Sequence, residues 1–275
     1  MFEEELARLN EKLISDPKNP ELYKEIGNIF FHQERFDQAV EYYEKALECN
    51  PGYFKALYNL GNTFYKLEQF EKAVHYWHQA IEVKSDFDHA HFNLGYHYFN
   101  KGFFREAIEE FKRALKINQN AADTHYYLGL CYHQTDMLSE AVDSFKTAIT
   151  LSGDEPDYHY NLANAAYDMG DYATAADEWK ITLSYKSGDL KARNNYCDAL
   201  IQLNRLDEAL DEIEKVLSDD PEYPPTICTK AELYERLDKK DESLVLFKKV
   251  AELVHGKANW EPLEKYILEK ISEKK

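Results

Sequence analysis

Apolar residues recur along the chain at helical spacing, in paired runs separated by short breaks. Between residues 54 and 87, Leu57, Leu60 and Phe64 belong to the first run and Trp77 to the second. Spacings of three and four residues place such side chains on one face of an α-helix. Gly, Pro and Asn residues occupy the breaks, as expected of turns. The pattern therefore predicts consecutive pairs of antiparallel helices and no strands.

The same pattern returns every 34 residues. Gly27, Gly61, Gly95 and Gly129 lie at this spacing, and the phase of small and bulky positions holds without insertion from residue 20 to residue 257. Numbered from residue 20, position 8 of each repeat is small and position 24 is bulky. A period of this length is typical of a solenoid, in which each unit buries its apolar face only against its neighbours.

These features resemble the tetratricopeptide repeat (TPR) family, which has a 34-residue period with Leu-Gly-x-x-Tyr, Ala and Phe at fixed positions. The resemblance implies an all-α fold, a right-handed superhelical solenoid of antiparallel helix pairs with an N-terminal half-repeat and a C-terminal capping helix. The unbroken period predicts one continuous solenoid. The predicted boundaries are 1–19 for the N-terminal capping helix, 20–53, 54–87, 88–121, 122–155, 156–189, 190–223 and 224–257 for repeats 1 to 7, and 258–275 for the C-terminal capping helix.

The formal net charge is -18, and most of it comes from repeats 4 to 6. An acidic chain lacks the clustered Lys and Arg that phosphate binding requires, so we expect no nucleic-acid partner and favour a partner with a basic segment. The acidic N-terminus and the lack of a long apolar run predict neither a signal peptide nor a membrane span, and hence a cytoplasmic protein. The four cysteines have no C-x-x-C spacing, which predicts packed, reduced thiols.

Motifs for catalysis and metal binding are missing from the sequence. No G-x-S-x-G, G-x-x-x-x-G-K-[ST] or H-E-x-x-H occurs. His91, His125 and His159 share position 4 of successive repeats, where stacked helices lie too far apart for common metal ligation and where the family usually has a packing residue. We therefore expect neither enzymatic activity nor a metal or other cofactor.

The resemblance also implies a binding site, because TPR proteins hold peptides on a concave groove lined by the first helix of each repeat. Amides at positions 6 and 9 can bond a peptide backbone, and aromatic rings at position 5 supply apolar area. The same residues are common throughout the family, so the sequence leaves open whether they are selected for a ligand or inherited. The predicted groove residues are Lys24, Asn28, Tyr58, Asn59, Asn62, Phe92, Asn93, Tyr126, Tyr160, Asn161, Asn164 and Asn195.

Departures from the family average are more informative about a partner. The predicted groove is basic in its early repeats and acidic later, which favours one direction for a dipolar ligand. The departures are His89, Asp123, Tyr127, Leu130, Asp168, Asp198, Glu235 and Arg236.

Two alternatives to a general peptide scaffold stay open at this point. Co-chaperones of the family bind the C-terminal carboxylate of Hsp70 or Hsp90 with two Lys, two Asn and one Arg. Lys24, Asn28 and Asn59 match three of these positions, but His89 and Asn93 replace the last two cations. The other alternative is a self-associating solenoid, a weak homodimer rather than a monomer, joined through the near-neutral aromatic surface of repeats 2 and 3.

Overall fold

The structure, a computed structural model, describes residues 2–153 and 155–273. These residues form sixteen α-helices and one short 3-10 turn, and they contain no strand. The all-α prediction is therefore confirmed. The helices are α1 (Phe2–Ser15), α2 (Pro20–His32), α3 (Phe36–Cys49), α4 (Phe54–Lys66), α5 (Phe70–Val83), α6 (Asp88–Asn100), α7 (Phe104–Ile117), α8 (Ala122–Gln134), α9 (Leu138–Ser152), α10 (Pro156–Asp168), α11 (Tyr172–Tyr185), α12 (Leu190–Gln202), α13 (Leu206–Asp219), α14 (Pro224–Arg236), α15 (Lys240–Val254) and α16 (Glu261–Ser272).

Each predicted repeat contains two of these helices, and glycine lets the two approach closely in the early repeats. A Cβ atom built on Gly27 would lie 2.5 Å from the Tyr43 ring, and one on Gly61 would lie 2.5 Å from Nε1 of Trp77. Such distances are shorter than any normal contact. The 34-residue spacing of glycines is therefore the spacing at which a bulky ring of the second helix covers the first helix.

The turn between the paired helices has the same backbone form in all seven repeats. Its residue at position 15 is left-handed, with φ between 58° and 86°. Only two of the seven are glycine, and the others are Glu, Asp or Asn. In repeat 2 the left-handed Glu68 donates its N–H to the Tyr65 carbonyl at 3.1 Å, and Gln69 donates to the Phe64 carbonyl at 2.8 Å. These two bonds close the end of the helix as in a Schellman motif.

Two compact units make up the chain, Met1–Thr135 and Asp136–Lys275. The division falls between α8 and α9, inside the predicted repeat 122–155, and the sequence shows no signal for it because the 34-residue period continues across it. Unit 1 has a core built around Tyr43, Trp77 and Leu94. The described residues of unit 2 include one apolar cluster around Trp179, Leu200 and Ile213 and another around Phe247.

The terminal helices cover the cores of their own units. In unit 1, α1 contributes the buried Leu9 to the core. In unit 2, the fully buried Ile267 of α16 packs in one apolar cluster with Phe247 and Val250. The predicted C-terminal helix starts one turn later than its sequence pattern indicates, because Ala258–Trp260 form a 3-10 turn first.

Candidate partner-binding surfaces

The first helices of the repeats form the surface on which the predicted contacts lie. We define the first-helix face of unit 1 as the exposed surface of α2, α4, α6 and α8, and that of unit 2 as the exposed surface of α10, α12 and α14. The predicted contacts on unit 1 are Lys24, Asn28, Tyr58, Asn59, Asn62, Phe92, Asn93 and Tyr126, and those on unit 2 are Tyr160, Asn161, Asn164 and Asn195.

The amides of repeats 1 and 2 are bonded to each other. Asn59 donates from Nδ2 to Oδ1 of Asn28 at 2.8 Å, and the Tyr43 hydroxyl donates to the same oxygen at 2.9 Å. Position 9 of repeat 1 is thereby joined to position 6 of repeat 2 and to the core tyrosine of its own repeat. These two asparagines connect neighbouring repeats, a role that the sequence alone did not assign to them.

Repeats 2 and 3 are joined in the same way. Asn93 donates from Nδ2 to Oδ1 of Asn62 at 2.7 Å, and the Trp77 indole donates from Nε1 to that oxygen at 2.9 Å. The Asn93 amide also lies 3.2 Å from the Tyr58 hydroxyl. Asn62 and Asn93 each use one side-chain polar group for bonds within the protein, so only the other side-chain polar group of each is available to a partner.

The side-chain groups that remain available along the first-helix face of unit 1 alternate between hydrogen-bond acceptors and donors. Among the described residues, the side-chain carbonyls of Asn59 and Asn93 and the side-chain amide of Asn62 have no hydrogen-bond partner. An extended peptide backbone offers matching N–H and C=O groups. A cavity of about 230 Å³ opens at this place and is lined by Asn28, Phe31, His32, Tyr43, Asn59 and Asn62.

Lys24 does not offer the free cation that the carboxylate clamp requires. It is buried, and its ammonium lies 2.6 Å from Glu21 and 2.5 Å from Glu25. Burial alone would lower the pKa of Lys24, but hydrogen bonds to the two carboxylates raise it above its usual value. Because His89 and Asn93 also stand where the clamp has cations, the structure provides no pair of free positive charges at these positions.

Aromatic side chains gather on α6 and α8. The Tyr127 ring lies 5.8 Å from Phe92, 5.1 Å from Tyr96 and 5.6 Å from Phe99, mostly edge to face. Tyr126 lies 5.4 Å from Tyr127. Tyr96 is at position 9 of repeat 3 and Tyr127 at position 6 of repeat 4. Position 9 is asparagine in repeats 1 and 2 and position 6 is asparagine in repeats 2 and 3, so an edge-to-face ring contact replaces the amide contact between repeats here. We call these five residues, all half-buried, the aromatic cluster.

The predicted amides of unit 2 are arranged differently from those of unit 1. Asn161 donates from Nδ2 to the Asp157 carbonyl at 2.7 Å, within its own helix. Asn164 and Asn195 make no hydrogen bond with other described residues. The Tyr160 hydroxyl is buried without a partner in the described part of the chain, while Lys191 lies over its ring at 5.7 Å.

A pair of carboxylates lies beside these amides. Asp198 and Glu232 both occupy position 9, in repeats 6 and 7. Burial, with a further contribution from Glu232, raises the pKa of Asp198 to about 7, although a hydrogen bond with Thr229 opposes the shift. The Tyr266 hydroxyl of α16 donates to Glu232 at 2.7 Å. Sequence reasoning singled out Asp198 but missed Glu232 and Tyr266. An acid at position 9, where repeats 1, 2 and 5 have Asn, was the available signal.

Buried thiols and histidines serve packing. All four cysteines are free, and burial raises the pKa of Cys131 to about 12. His91 and His159 are buried at position 4 and contact Glu110 and Glu178 of the paired helix through Nδ1 at 2.7 Å and 2.5 Å. The described residues contain no group of three or more His, Cys, Asp or Glu able to hold a metal ion. None of the described helices is both long enough and apolar enough to cross a bilayer.

Known sequence families match most of the chain. Models described as TPR repeat match residues 27–68 and 95–136, and models described as tetratricopeptide repeat match residues 54–87, 122–155 and 160–224. Each of these models describes a repeat unit, and none describes an enzyme. A search of curated protein sequences returns no significant match.

Solved structures with the same fold include proteins of several kinds. YrrB, described as a TPR protein with an unusual peptide-binding site, is 20% identical, with a TM-score of 0.60 over 70% of this chain and 96% of that chain. PilF of Pseudomonas aeruginosa is 17% identical, with a TM-score of 0.63 over 79% and 98%. A chain of the APC/C hetero-tetramer Cut9-Hcn1 is 15% identical, with a TM-score of 0.54 over 98% and 53%.

These identities establish similarity of fold. The family models match, the helix pairs follow the 34-residue period, and a ring at position 24 covers the glycine at position 8 in repeats 1 to 3. This chain belongs to the tetratricopeptide repeat family.

Proposed function

We propose that this chain is a non-enzymatic protein-interaction scaffold of the cytoplasm, which holds an extended peptide or a segment of a partner protein on its first-helix faces. The observation that carries the proposal is the surface of unit 1, where half-buried rings adjoin amide groups without partners. The structural relative YrrB, described as having a peptide-binding site, supports the same function.

The aromatic cluster supplies the apolar part of such a site. Phe92, Phe99 and Tyr126 are each half-buried, so they retain area that a partner side chain can cover. Rings are already held by their neighbours, and little rotamer freedom is lost when they bind. A partner would therefore gain most of its affinity here, as at the hot spots of other interfaces.

The amides of repeats 2 and 3 supply the directional part. Phe92 and Asn93 are consecutive on α6, so the side-chain carbonyl of Asn93, which has no partner among the described residues, lies at the edge of the aromatic cluster. Two backbone N–H groups of the peptide donate, one to the side-chain carbonyl of Asn93 and one to that of Asn59. A peptide carbonyl accepts from the side-chain NH₂ of Asn62. Because these groups bond any backbone, specificity comes from the side chain that covers the rings.

Selection from a library of randomised dodecapeptides tests this function. We expect peptides selected by the wild-type chain to lose binding to a variant carrying Phe92→Ala and Tyr126→Ala. They should retain it in Phe103→Ala, which removes a largely exposed ring outside the face. Failure of the wild-type chain to select any peptide would refute the proposal, and equal binding by the double variant would refute peptide binding at the aromatic cluster of unit 1.

A further inference from the structure

Four side chains form a closed hydrogen-bonded group in unit 1. They are Tyr58, Asn62, Trp77 and Asn93, at positions 5, 9 and 24 of repeat 2 and position 6 of repeat 3. The Asn62 carbonyl accepts from the indole of Trp77 and from the amide of Asn93, which also contacts the Tyr58 hydroxyl. The indole is buried and bonded within the protein, so this group has no buried polar atom left for a ligand to satisfy.

The same four residue types recur three repeats later, in unit 2. Tyr160, Asn164, Trp179 and Asn195 occupy the same positions of repeats 5 and 6. Here the group is open. Trp179 is only 2% exposed, yet its Nε1 has no hydrogen-bond partner among the described residues, and neither has the hydroxyl of Tyr160. A buried donor without an acceptor is costly and rare in proteins.

One substitution between the two groups accounts for the difference. Position 8 is Gly61 under Trp77 but Ala163 under Trp179. A Cβ at Gly61 would lie 2.5 Å from Nε1 of Trp77, so an indole facing Ala163 cannot occupy the corresponding place. The side-chain carbonyl of Asn164 consequently does not accept from the Trp179 indole as that of Asn62 accepts from Trp77. The side chains of Asn164 and Asn195 have no hydrogen-bond partner among the described residues.

Carboxylates continue this face beyond the open group. Asp198 follows Asn195 by one helical turn on α12, so the two side chains share a face. Glu232 holds the same position on α14, with Thr229 between the two acids. The hydroxyls of Thr226 and Thr229 on α14 donate to Oδ1 of Asn194 on α12 at 2.7 Å and 3.2 Å, so these two helices lie side by side here.

These two acids lack a cation. Neither Asp198 nor Glu232 has a Lys or Arg partner among the described residues, and the neighbouring Lys270 lies 3.7 Å from a different acid, Glu235. Asp198 and Glu232 are both half-buried, and two adjacent carboxylates in such a place are stabilised when a positive group comes between them. A Lys or Arg side chain brings a charge together with an aliphatic stem that fits beside tyrosine rings.

We propose that the first-helix face of unit 2 binds an extended polypeptide segment by its main chain at Tyr160, Asn164, Trp179 and Asn195, and by a Lys or Arg side chain at Asp198 and Glu232. The inference rests on the proposed scaffold function and adds to it the chemistry of one partner. A peptide carbonyl is the acceptor that the buried indole lacks, and the main chain also pairs with both amides. The cation then lies one helical turn away, over the two acids.

Selection from randomised decapeptides, blocked at both ends, tests the cation. We expect Lys or Arg at one fixed position of the peptides selected by the wild-type chain. Replacing that residue by norleucine, which keeps the stem and removes the charge, should weaken binding at least tenfold in isothermal titration. In Asp198→Asn, which leaves Glu232 as the single acid of the pair, the advantage of the Lys peptide over the norleucine peptide should fall at least threefold. This variant is expected to fold because asparagine occupies the same position in repeats 1, 2 and 5.

A matched variant separates this site from the general attraction of an acidic protein for cations. Asp211 is an exposed acid on α13, outside the face. Asp211→Asn should keep the full preference for Lys over norleucine. The inference is overturned if no basic residue is selected, if the preference for Lys is undiminished in Asp198→Asn, or if Asp211→Asn reduces it to the same extent.

The indole provides a second readout. The chain has three tryptophans, so its ¹⁵N spectrum contains three indole N–H signals, assignable by substitution to Phe. On saturation with the selected peptide, the Trp179 signal should shift and its proton exchange should slow, whereas the Trp77 signal should change little. An unchanged Trp179 signal at saturation would overturn the main-chain part of the site.

The two proposals fail in different ways. If selected peptides depend on Phe92 and Tyr126 and are indifferent to Asp198, the scaffold function stands and the site on unit 2 is refuted. If the wild-type chain selects no peptide at all, both are refuted.

Discussion

Replacing Asp198 by Asn should make the protein more stable at neutral and alkaline pH. The carboxyl is buried next to Glu232, and its pKa is raised from 3.8 to about 7. For an acid with a raised pKa, folding favours the protonated form. Stability is therefore unaffected by this group below the unfolded pKa, falls as pH rises from about 4 to about 7, and stays at its lower value above that window. An amide has no such pH dependence.

The magnitude follows from the size of the shift. At roughly 1.4 kcal/mol per pKa unit, a shift of about three units costs about 4 kcal/mol at pH 8 and about 3 kcal/mol at pH 6. Water that relaxes around the carboxylate reduces the cost, so these values are upper limits. Asp198→Asn removes this free-energy cost, and the side-chain oxygen of the new asparagine can still accept from Thr229.

Urea unfolding followed by far-ultraviolet circular dichroism at pH 6 and pH 8 measures the effect. We expect a gain of free energy of unfolding at both pH values that is larger at pH 8 by about 1 kcal/mol. Asp211→Asn, an exposed acid, should change it by less than about 0.5 kcal/mol at either pH. A variant that is no more stable than the wild type at pH 8, or whose gain is equal at the two pH values, would refute the reasoning.

Three further predictions concern the packing of the repeats. Asn62→Ala leaves the buried Trp77 indole without an acceptor, so the free energy of unfolding should fall by about 2 kcal/mol in urea titration; a change below experimental error would contradict the bonded arrangement. Glu68→Gly removes the steric cost of a side chain on a left-handed residue and should raise the free energy of unfolding by about 0.5–1 kcal/mol, because this gain outweighs the greater freedom of the unfolded chain. A lower melting temperature would contradict this prediction. Cys131, with its raised pKa and full burial, should resist iodoacetamide at pH 8 until urea is added, as read by peptide mass spectrometry, and rapid alkylation of the native protein would show that the thiol is accessible.

Helix pairs and their spacing could be predicted from the sequence because each depends on a few local residues. A ring at position 24 needs a small residue at position 8, and the sequence shows both residues of this pair in repeat 2, Gly61 and Trp77. The left-handed turn residue could not be predicted in the same way. Glu68 has no sequence feature that marks a positive φ, since the conformation is imposed by the two helices that it connects.

The chemistry of the face could be predicted only in part. Spacing places Asn59 and Asn93 on the first helices of repeats 2 and 3. Which polar group of each side chain remains available depends on a partner one repeat away and on side-chain rotation. Lys24 is predicted to line the groove, but the sequence does not show that Glu21 and Glu25 both hold its buried ammonium. Pairing of Asp198 with Glu232 follows from the period, because both hold position 9, whereas the contact with Tyr266 depends on how the last helix packs.

Amide bonds between repeats also have a consequence for cooperativity. In unit 1, Asn59 and Asn93 each tie one repeat to the preceding one, and each bond is lost as soon as either repeat opens. Coupling between nearest neighbours is what makes an array of repeats unfold together rather than one repeat at a time. Repeats 1 to 3 should therefore exchange their core amide hydrogens in a single opening event. Repeats 5 and 6, where Asn195 makes no such bond, should open at a lower free energy and separately.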